Sequence, residues 1–89
     1  MRVLIIEDDL DVSGIIELML TKAKLNADLT RLGSEGIEMA KRHAYDLILL
    51  DLSLPDLDGF DVLLEMRHAG IETPVLILSG ASGADNKVR

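Results

Sequence analysis

Three apolar runs in the chain each end in acidic or hydroxyl residues. The runs span Val3 to Asp9, Leu47 to Asp51 and Pro74 to Ser79. Short, continuously apolar runs are typical of strands that are buried on both faces of a parallel sheet. Parallel strands end at one common edge of the sheet, where open α/β sheets bind their ligands. We therefore expect the polar residues at these ends to converge in one crevice: Glu7, Asp8, Asp51 and Ser79.

The segments between the apolar runs alternate in their pattern. Periodicity near 3.6 residues predicts helices over Leu10 to about Lys24, about Ser34 to Arg42, and Gly59 to about Ala69. Strands are predicted over Arg2 to Ile6, Ala27 to Arg31, Leu47 to Leu50, and Pro74 to Ser79. Ser34 and Asp58 are candidate N-caps, and Gly70 is a candidate helix stop. This alternation predicts an α/β fold with a doubly wound parallel sheet.

Several carboxylates in one crevice repel one another, so the pattern favours a site for a hard cation. Asp51 directly follows four apolar residues at a strand end, where a simple surface charge is poorly placed. Mg²⁺ takes one or two carboxylates and serves phosphoryl chemistry. Ser79 would supply a hydroxyl there, and Gly80 would let a backbone N–H approach a phosphate oxygen. The alternative is that the acids after the first strand form a solvated first helical turn.

Composition narrows the class of protein. The 89 residues fit one small domain, and 48% of them are hydrophobic. The net charge of −7 argues against binding of nucleic acid or an anionic membrane by this segment itself. The sequence has no cysteine, which excludes disulfide and thiolate chemistry. No apolar stretch reaches the length of a membrane span, so we expect a cytoplasmic location.

Three motifs in this order resemble the receiver domain of two-component response regulators. The matching stretches are VLIIEDD from Val3, DLILLDLSLPDLDGFDVL from Asp46 and TPVLILSG from Thr73. Parts of the sequence are also similar to cell-cycle regulators among the OmpR/PhoB-type transcription factors. The resemblance implies a flavodoxin-like (CheY-like) topology with strand order 2-1-3-4-5. It also implies a signalling module that is not an enzyme, acting in a phosphorelay that controls transcription.

The resemblance implies a role for each site residue. Asp51 would be the phosphoacceptor, and its phosphoryl donor would be a histidine kinase or a histidine phosphotransferase. Asp8 would bind Mg²⁺ directly, Glu7 chiefly through water, and the backbone carbonyl of Ser53 would be a further ligand. Ser79 would match the family's phosphate-contacting switch hydroxyl.

One departure from the family pattern concerns the carboxyl end. Members carry a phosphate-contacting lysine at the end of a fifth strand, and no residue of this chain matches it. We expect the receiver domain of residues 1–89 to be incomplete, without the family's fourth helix, fifth strand and fifth helix. Contact with DNA would then need an output domain outside these residues. An uncovered fourth strand also predicts that the fragment dimerises or aggregates.

The predicted first helix carries an apolar patch beside its apolar stripe. At about 100° per residue, the core stripe comprises Val12, Ile16, Met19, Leu20 and Ala23. Ile15 lies on the flank of this stripe and Leu18 well off it, near Gly14. A wide core-facing stripe would explain both residues. The alternative is an exposed patch for a partner helix, and the resemblance implies that the kinase or phosphotransferase docks there.

Two other functions stay open. One is a stand-alone Mg²⁺-dependent phosphohydrolase with an aspartyl nucleophile. Such enzymes commonly show a second aspartate two residues after the nucleophile, where this chain has Ser53. The other is a protein-binding fragment that is never phosphorylated.

Overall fold

The computed structural model describes residues 1–78, in which strands and helices alternate as the sequence pattern predicts. No helix among these residues is long and apolar enough to cross a membrane. The elements are β1 (Arg2–Ile6), α1 (Leu10–Lys22), β2 (Asn26–Thr30), α2 (Gly33–Arg42), β3 (Leu47–Asp51), α3 (Gly59–His68) and β4 (Val75–Leu78).

The four strands of this region form one parallel sheet in the order β2-β1-β3-β4. This order confirms the doubly wound fold. Ile6 of β1 lies opposite Thr30 of β2, and Asp51 of β3 lies opposite Leu78 of β4. The carboxyl ends of β1 and β3 therefore lie side by side in the middle of the sheet.

Both faces of the central strands β1 and β3 are covered, which explains why their sequences are continuously apolar. On one face, alternate residues of β1 and β3 pack against α2 and α3, with Ile37, Val62 and Met66 at the centre of the contact. On the other face, Val3, Ile5 and Leu49 pack against α1.

Helix α1 presents a different face to the sheet from the predicted one. Ile16 and Leu20 pack against the core as expected, but Val12, Ala23 and Met19 are exposed, Met19 at 64%. Ser13 is buried instead, with 3% of its surface exposed, and its hydroxyl donates to the Leu10 carbonyl at 3.3 Å. This internal hydrogen bond lets a small polar residue occupy the core-facing position.

The end of α1 also falls short of the predicted residue. The helix ends at Lys22, with Ala23 as its C-cap, rather than near Lys24. Lys24 adopts a left-handed conformation with φ of 62°, and its N–H donates to the Thr21 carbonyl at 2.9 Å. A residue in this conformation cannot continue a right-handed helix.

The predicted cap of α2 is wrong, because a distant residue serves this purpose. The helix begins at Gly33, and the N-cap residue Leu32 makes no side-chain cap. The two oxygens of Asp56 accept from the N–H groups of Gly33 and Ser34 at 2.8 and 3.0 Å. A Cβ on Gly33 would lie 2.7 Å from a Val62 methyl group, so only glycine lets the two elements approach this closely.

The signals around α3 are confirmed. Asp58 is the N-cap and accepts from the Phe60 N–H at 2.8 Å. Gly70 follows the helix with φ of 82°, a conformation that glycine adopts without strain. Strand β4 begins at Val75 rather than Pro74, although the Pro74 carbonyl still accepts from the Ile48 N–H at 3.0 Å.

A polar cluster toward the amino end of the sheet joins Arg2 at the start of β1, Tyr45 just before β3 and Asp28 in the middle of β2. Asp28 accepts from the Tyr45 hydroxyl at 2.7 Å and forms an ion pair with Arg2 at 2.9 Å. The Arg2 guanidinium also lies 5.4 Å from the centre of the Tyr45 ring. The hydrogen bond from Tyr45, with the Arg2 contacts, lowers the pKa of Asp28. Burial and Asp28 together raise the pKa of Tyr45 to about 12.

Candidate functional site

An open cleft of about 580 Å³ lies at the carboxyl end of the sheet. The three acidic residues that immediately follow β1 and the last residue of β3 bring four carboxylates to it. The loop after β3 adds Ser53, and Leu78 of β4 forms part of the wall. The structure thus brings together four of the predicted site residues: Glu7, Asp8, Asp51 and Ser53. Ser79 and Gly80, the other two predicted there, lie outside the described residues.

Glu7 is a buried acid, with only 6% of its surface exposed. Its pKa is raised to about 7, chiefly by burial; the N–H of Asp9 lowers the pKa, and the hydrogen bond and charge of Asp51 raise it further. The backbone N–H of Glu7 donates to the Thr30 carbonyl at 3.0 Å, which extends the β1–β2 pairing by one step. Glu7 is therefore not a solvated acid of a first helical turn.

The solvated-turn interpretation applies to other acids of the same run. Asp9 is the N-cap of α1 and accepts from the N–H groups of Asp11 and Val12 at 2.9 and 3.2 Å. Asp11 is exposed in the first turn, where a negative charge suits the helix dipole. Asp8 is half-buried, and its carboxylate pairs with Arg31 at 3.4 Å.

Asp51 sits where β3 meets a tightly packed loop. Its surface is 6% exposed. A Cβ on Gly59 would lie 2.6 Å from the Asp51 carbonyl oxygen, so the start of α3 approaches this backbone as only glycine allows. The Gly59 N–H donates to the Leu52 carbonyl at 3.0 Å, and Ser53 forms a bridge with Asp58.

The tip of the same loop is tied to α2. Asp56 holds the two amides at the start of that helix, and those hydrogen bonds, first from Ser34 and then from Gly33, lower its pKa to about 2. The loop that carries Ser53 is therefore fixed both to α3 and to α2. No local signal in the sequence marks this link, because Asp56 lies more than 20 residues from its partners.

The donors at the cleft suit a hard cation such as Mg²⁺. They include the carboxylates of Glu7, Asp8 and Asp51, and they lie in a cleft that is open to solvent. Within residues 1–78, no group of three or more acidic or histidine side chains is arranged to hold a metal ion. Mg²⁺ keeps several waters and uses one or two protein carboxylates.

The predicted docking patch on α1 is exposed. Ile15 and Leu18 are 61% and 57% exposed, and a Cβ on Gly14 would have no neighbour within 4 Å. The sequence did not indicate how far this apolar surface extends. Leu10, Val12 and Met19 are also exposed on the same helix.

Comparison with known proteins decides the family. The family described as "Response regulator receiver domain" matches residues 3–89. The chain belongs to this family. The motifs quoted above and the observed strand order agree with that membership.

Within this family, the chain is similar to cell-cycle response regulators. The chain is 52% identical over all 89 residues to the cell cycle response regulator CtrA of Brucella ovis, and equally to that of Brucella abortus strain 2308. These matches confirm the predicted similarity to cell-cycle regulators. The chain spans 38% of the length of these relatives.

Solved receiver domains share the fold. The receiver domain of the Francisella response regulator 1452 matches with a TM-score of 0.85 and 29% identity, over 93% of this chain and 69% of that one. The non-phosphorylated HemR receiver domain from Leptospira biflexa matches with a TM-score of 0.82 and 31% identity, over 93% of this chain and 67% of that one. The BeF3-activated receiver domain of Klebsiella pneumoniae RstA matches with a TM-score of 0.82 and 28% identity, over 89% of this chain and 67% of that one.

Proposed function

We propose that the chain accepts a phosphoryl group on Asp51 from the phosphohistidine of a kinase or phosphotransferase, in a Mg²⁺-dependent reaction. The observation that carries this proposal is the position of Asp51. It is the last residue of a central strand, it is nearly buried, and it shares one cleft with Glu7 and Asp8. Family membership supports the same reaction.

The transfer requires the chain to position a nucleophile. A carboxylate oxygen of Asp51 forms a bond to phosphorus while the bond from phosphorus to the histidine nitrogen breaks, and the electron pair returns to the imidazole. The start of α3 packs closely against the backbone of Asp51 at Gly59, and Asp51 lines the cleft. We assign Asp8, Asp51 and the Ser53 carbonyl as direct Mg²⁺ ligands and Glu7 as a ligand through water. The ion would neutralise charge on the phosphoryl oxygens.

We further assign Ser79 as the hydroxyl that contacts the phosphoryl group and Gly80 as a backbone donor to it. Both follow β4, whose last residue, Leu78, already lines the cleft. Parallel strands place the residues after them at the same edge, which supports this assignment.

The full protein that contains this domain is proposed to be a cytoplasmic transcription regulator. The support is the similarity to CtrA proteins, which are more than twice as long as this chain. Contact with DNA would come from a part of the protein outside these residues, and a dimer stays a prediction.

A phosphorylation assay tests the proposed function. A small phosphodonor with Mg²⁺ should add one phosphoryl group to the protein, in a bond labile to base, and Asp51→Asn should accept none. Asp61→Asn, an exposed acid in the first turn of α3, is the control and should be labelled normally. Label that persists in Asp51→Asn, or that appears on a histidine, would refute the assignment. Continuous release of phosphate from a phosphoester would instead support a phosphohydrolase.

A second experiment tests the docking patch on α1. Leu18→Glu, and more mildly Ile15→Glu, should slow phosphotransfer from a cognate histidine protein by about tenfold or more, as expected for a charge buried in an apolar interface. Labelling by a small phosphodonor should survive, because both side chains point away from the core. If Leu18→Glu unfolds the protein, the patch belongs to the core and the docking assignment is wrong.

A further inference from the structure

Asp8 lies between two hollows on the surface. On one side it lines the cleft that contains Asp51. On the other side it lines a second, open hollow together with Thr30, Arg31 and Glu35. From this second hollow, Nη2 of Arg31 reaches Oδ1 of Asp8 at 3.4 Å. The same carboxylate is therefore offered to a guanidinium on one side and to the cleft on the other.

The pairing of β1 with β2 places Arg31 beside Asp8. Ile6 pairs with Thr30, and the Glu7 N–H continues that register by donating to the Thr30 carbonyl. Arg31 directly follows Thr30, the last residue of β2, so it lies next to the end of β1. Thr30 is itself fixed, because its hydroxyl donates to Glu35 and accepts from the Leu32 N–H. The Arg31 side chain itself is 62% exposed.

The charges around the cleft give this contact its significance. Four acids line the cleft: Glu7, Asp8, Asp9 and Asp51. Within residues 1–78, Arg31 is the one lysine or arginine that forms an ion pair with any of them. The Arg31 guanidinium therefore neutralises part of the negative charge of the cleft, which a bound cation would also do.

We propose that Arg31 is a built-in competitor for the divalent cation, which holds Asp8 in the metal-free protein and releases it when the cation binds. This inference rests on the proposed function, in which Asp8 is a direct Mg²⁺ ligand. A guanidinium and Mg²⁺ on one carboxylate repel each other, so the ion must weaken or break the pair. Arg31 therefore lowers the affinity for Mg²⁺ and sets the cation concentration at which the cleft becomes competent.

The expected effect is modest, because both side chains are substantially exposed. Exposed ion pairs contribute little, which corresponds to a factor of about two to five in affinity. The direction is the informative part. Removing a residue next to a binding site usually weakens binding, whereas here it should tighten binding.

Titration calorimetry with Mg²⁺ alone tests the proposal on the wild-type protein and three variants. Arg31→Gln should bind Mg²⁺ about two- to fivefold more tightly at low salt, and the gain should shrink as salt screens the pair. Arg31→Lys keeps the charge and should stay near the wild-type affinity. Arg42→Gln removes the same charge from the far end of α2, and it should change the affinity less than Arg31→Gln does. By NMR, the Arg31 Nε–H resonance should shift when Mg²⁺ is added, and that of Arg42 should not.

The outcomes separate this inference from the proposed function. If Arg31→Gln matches Arg42→Gln, or binds Mg²⁺ more weakly than the wild type, competition is refuted even when Asp8→Asn abolishes binding. If the wild-type protein binds no Mg²⁺ at all, the proposed function and the competition are both overturned. In that case a double-mutant cycle on the free energy of unfolding, with Asp8→Asn and Arg31→Gln, would show whether the ion pair is only structural.

Discussion

The two ends of the sheet differ in how their carboxylates are neutralised. At the amino end, Asp28 meets a guanidinium and a phenol at hydrogen-bonding distance, and its pKa is lowered. At the carboxyl end, Glu7 is buried beside Asp51, and its pKa is raised to about 7. The only ion pair there, among residues 1–78, is the looser contact of Asp8 with Arg31.

This difference separates a structural cluster from a functional one. A carboxylate that is hydrogen-bonded and paired stabilises the folded chain at neutral pH. Buried carboxylates that face one another cost stability, and such arrangements persist where they serve a site. The destabilising burial and repulsion of carboxylates therefore lie at the end of the sheet where we place the metal and the phosphoryl group.

The largest effect on stability is expected at the amino end. Asp28→Ala leaves the Tyr45 hydroxyl and the Arg2 guanidinium without their shared acceptor, and it should lower the free energy of unfolding by about 1–3 kcal/mol. Glu72→Ala, at an exposed acid in the loop between α3 and β4, is the control and should change it by less than about 0.5 kcal/mol. Chemical denaturation at neutral pH measures both. Equal effects of the two variants would mean that the cluster is not structural.

A smaller effect of opposite sign is expected at the carboxyl end. Asp51→Asn removes a charge beside Glu7 and offers an amide that can donate to it, so the metal-free variant should be more stable than wild type by about 1 kcal/mol. The same denaturation experiment, in the presence of a chelator, measures the change. A clear loss of stability would show that Asp51 serves the fold like Asp28, and the contrast between the two ends would fail.

Much of this architecture could be predicted from local pattern. The runs of β1 and β3 are continuous because both faces of these strands are buried, so their presence as strands and the acids at their ends could be predicted from the sequence. The caps Asp58 and Gly70 act on their own helix within a few residues, and both predictions are confirmed.

The predictions that failed depend on contacts between distant residues. Ser34 looks like a cap, but Asp56 reaches the start of α2 from 22 residues away. The buried face of α1 includes Ser13 because its hydroxyl finds an acceptor one turn back, which hydrophobicity alone does not indicate. The pair of Arg31 with Asp8 links two strand ends that are 23 residues apart, so no local sequence motif predicts it.

The pH dependence of the acidic cleft follows from Glu7. Its pKa is about 7 in the folded protein against an ordinary value of 4.5, so the folded state binds more protons than the unfolded state between these values. This contribution must lower the free energy of unfolding as the pH rises from about 4.5 to about 7. A bound cation favours the ionised carboxylate and should cancel most of that loss.

The most direct test measures the free energy of unfolding from pH 5 to pH 8, with and without saturating Mg²⁺, for wild type and Glu7→Gln. Comparison of the two proteins removes the contribution of other titrating groups. Without metal, the stability of wild type should fall relative to Glu7→Gln as the pH rises, and Mg²⁺ should stabilise wild type most at pH 7 and above. If Mg²⁺ leaves the unfolding of wild type unchanged throughout this range, the carboxyl end of the sheet is not a cation site, and the account is contradicted.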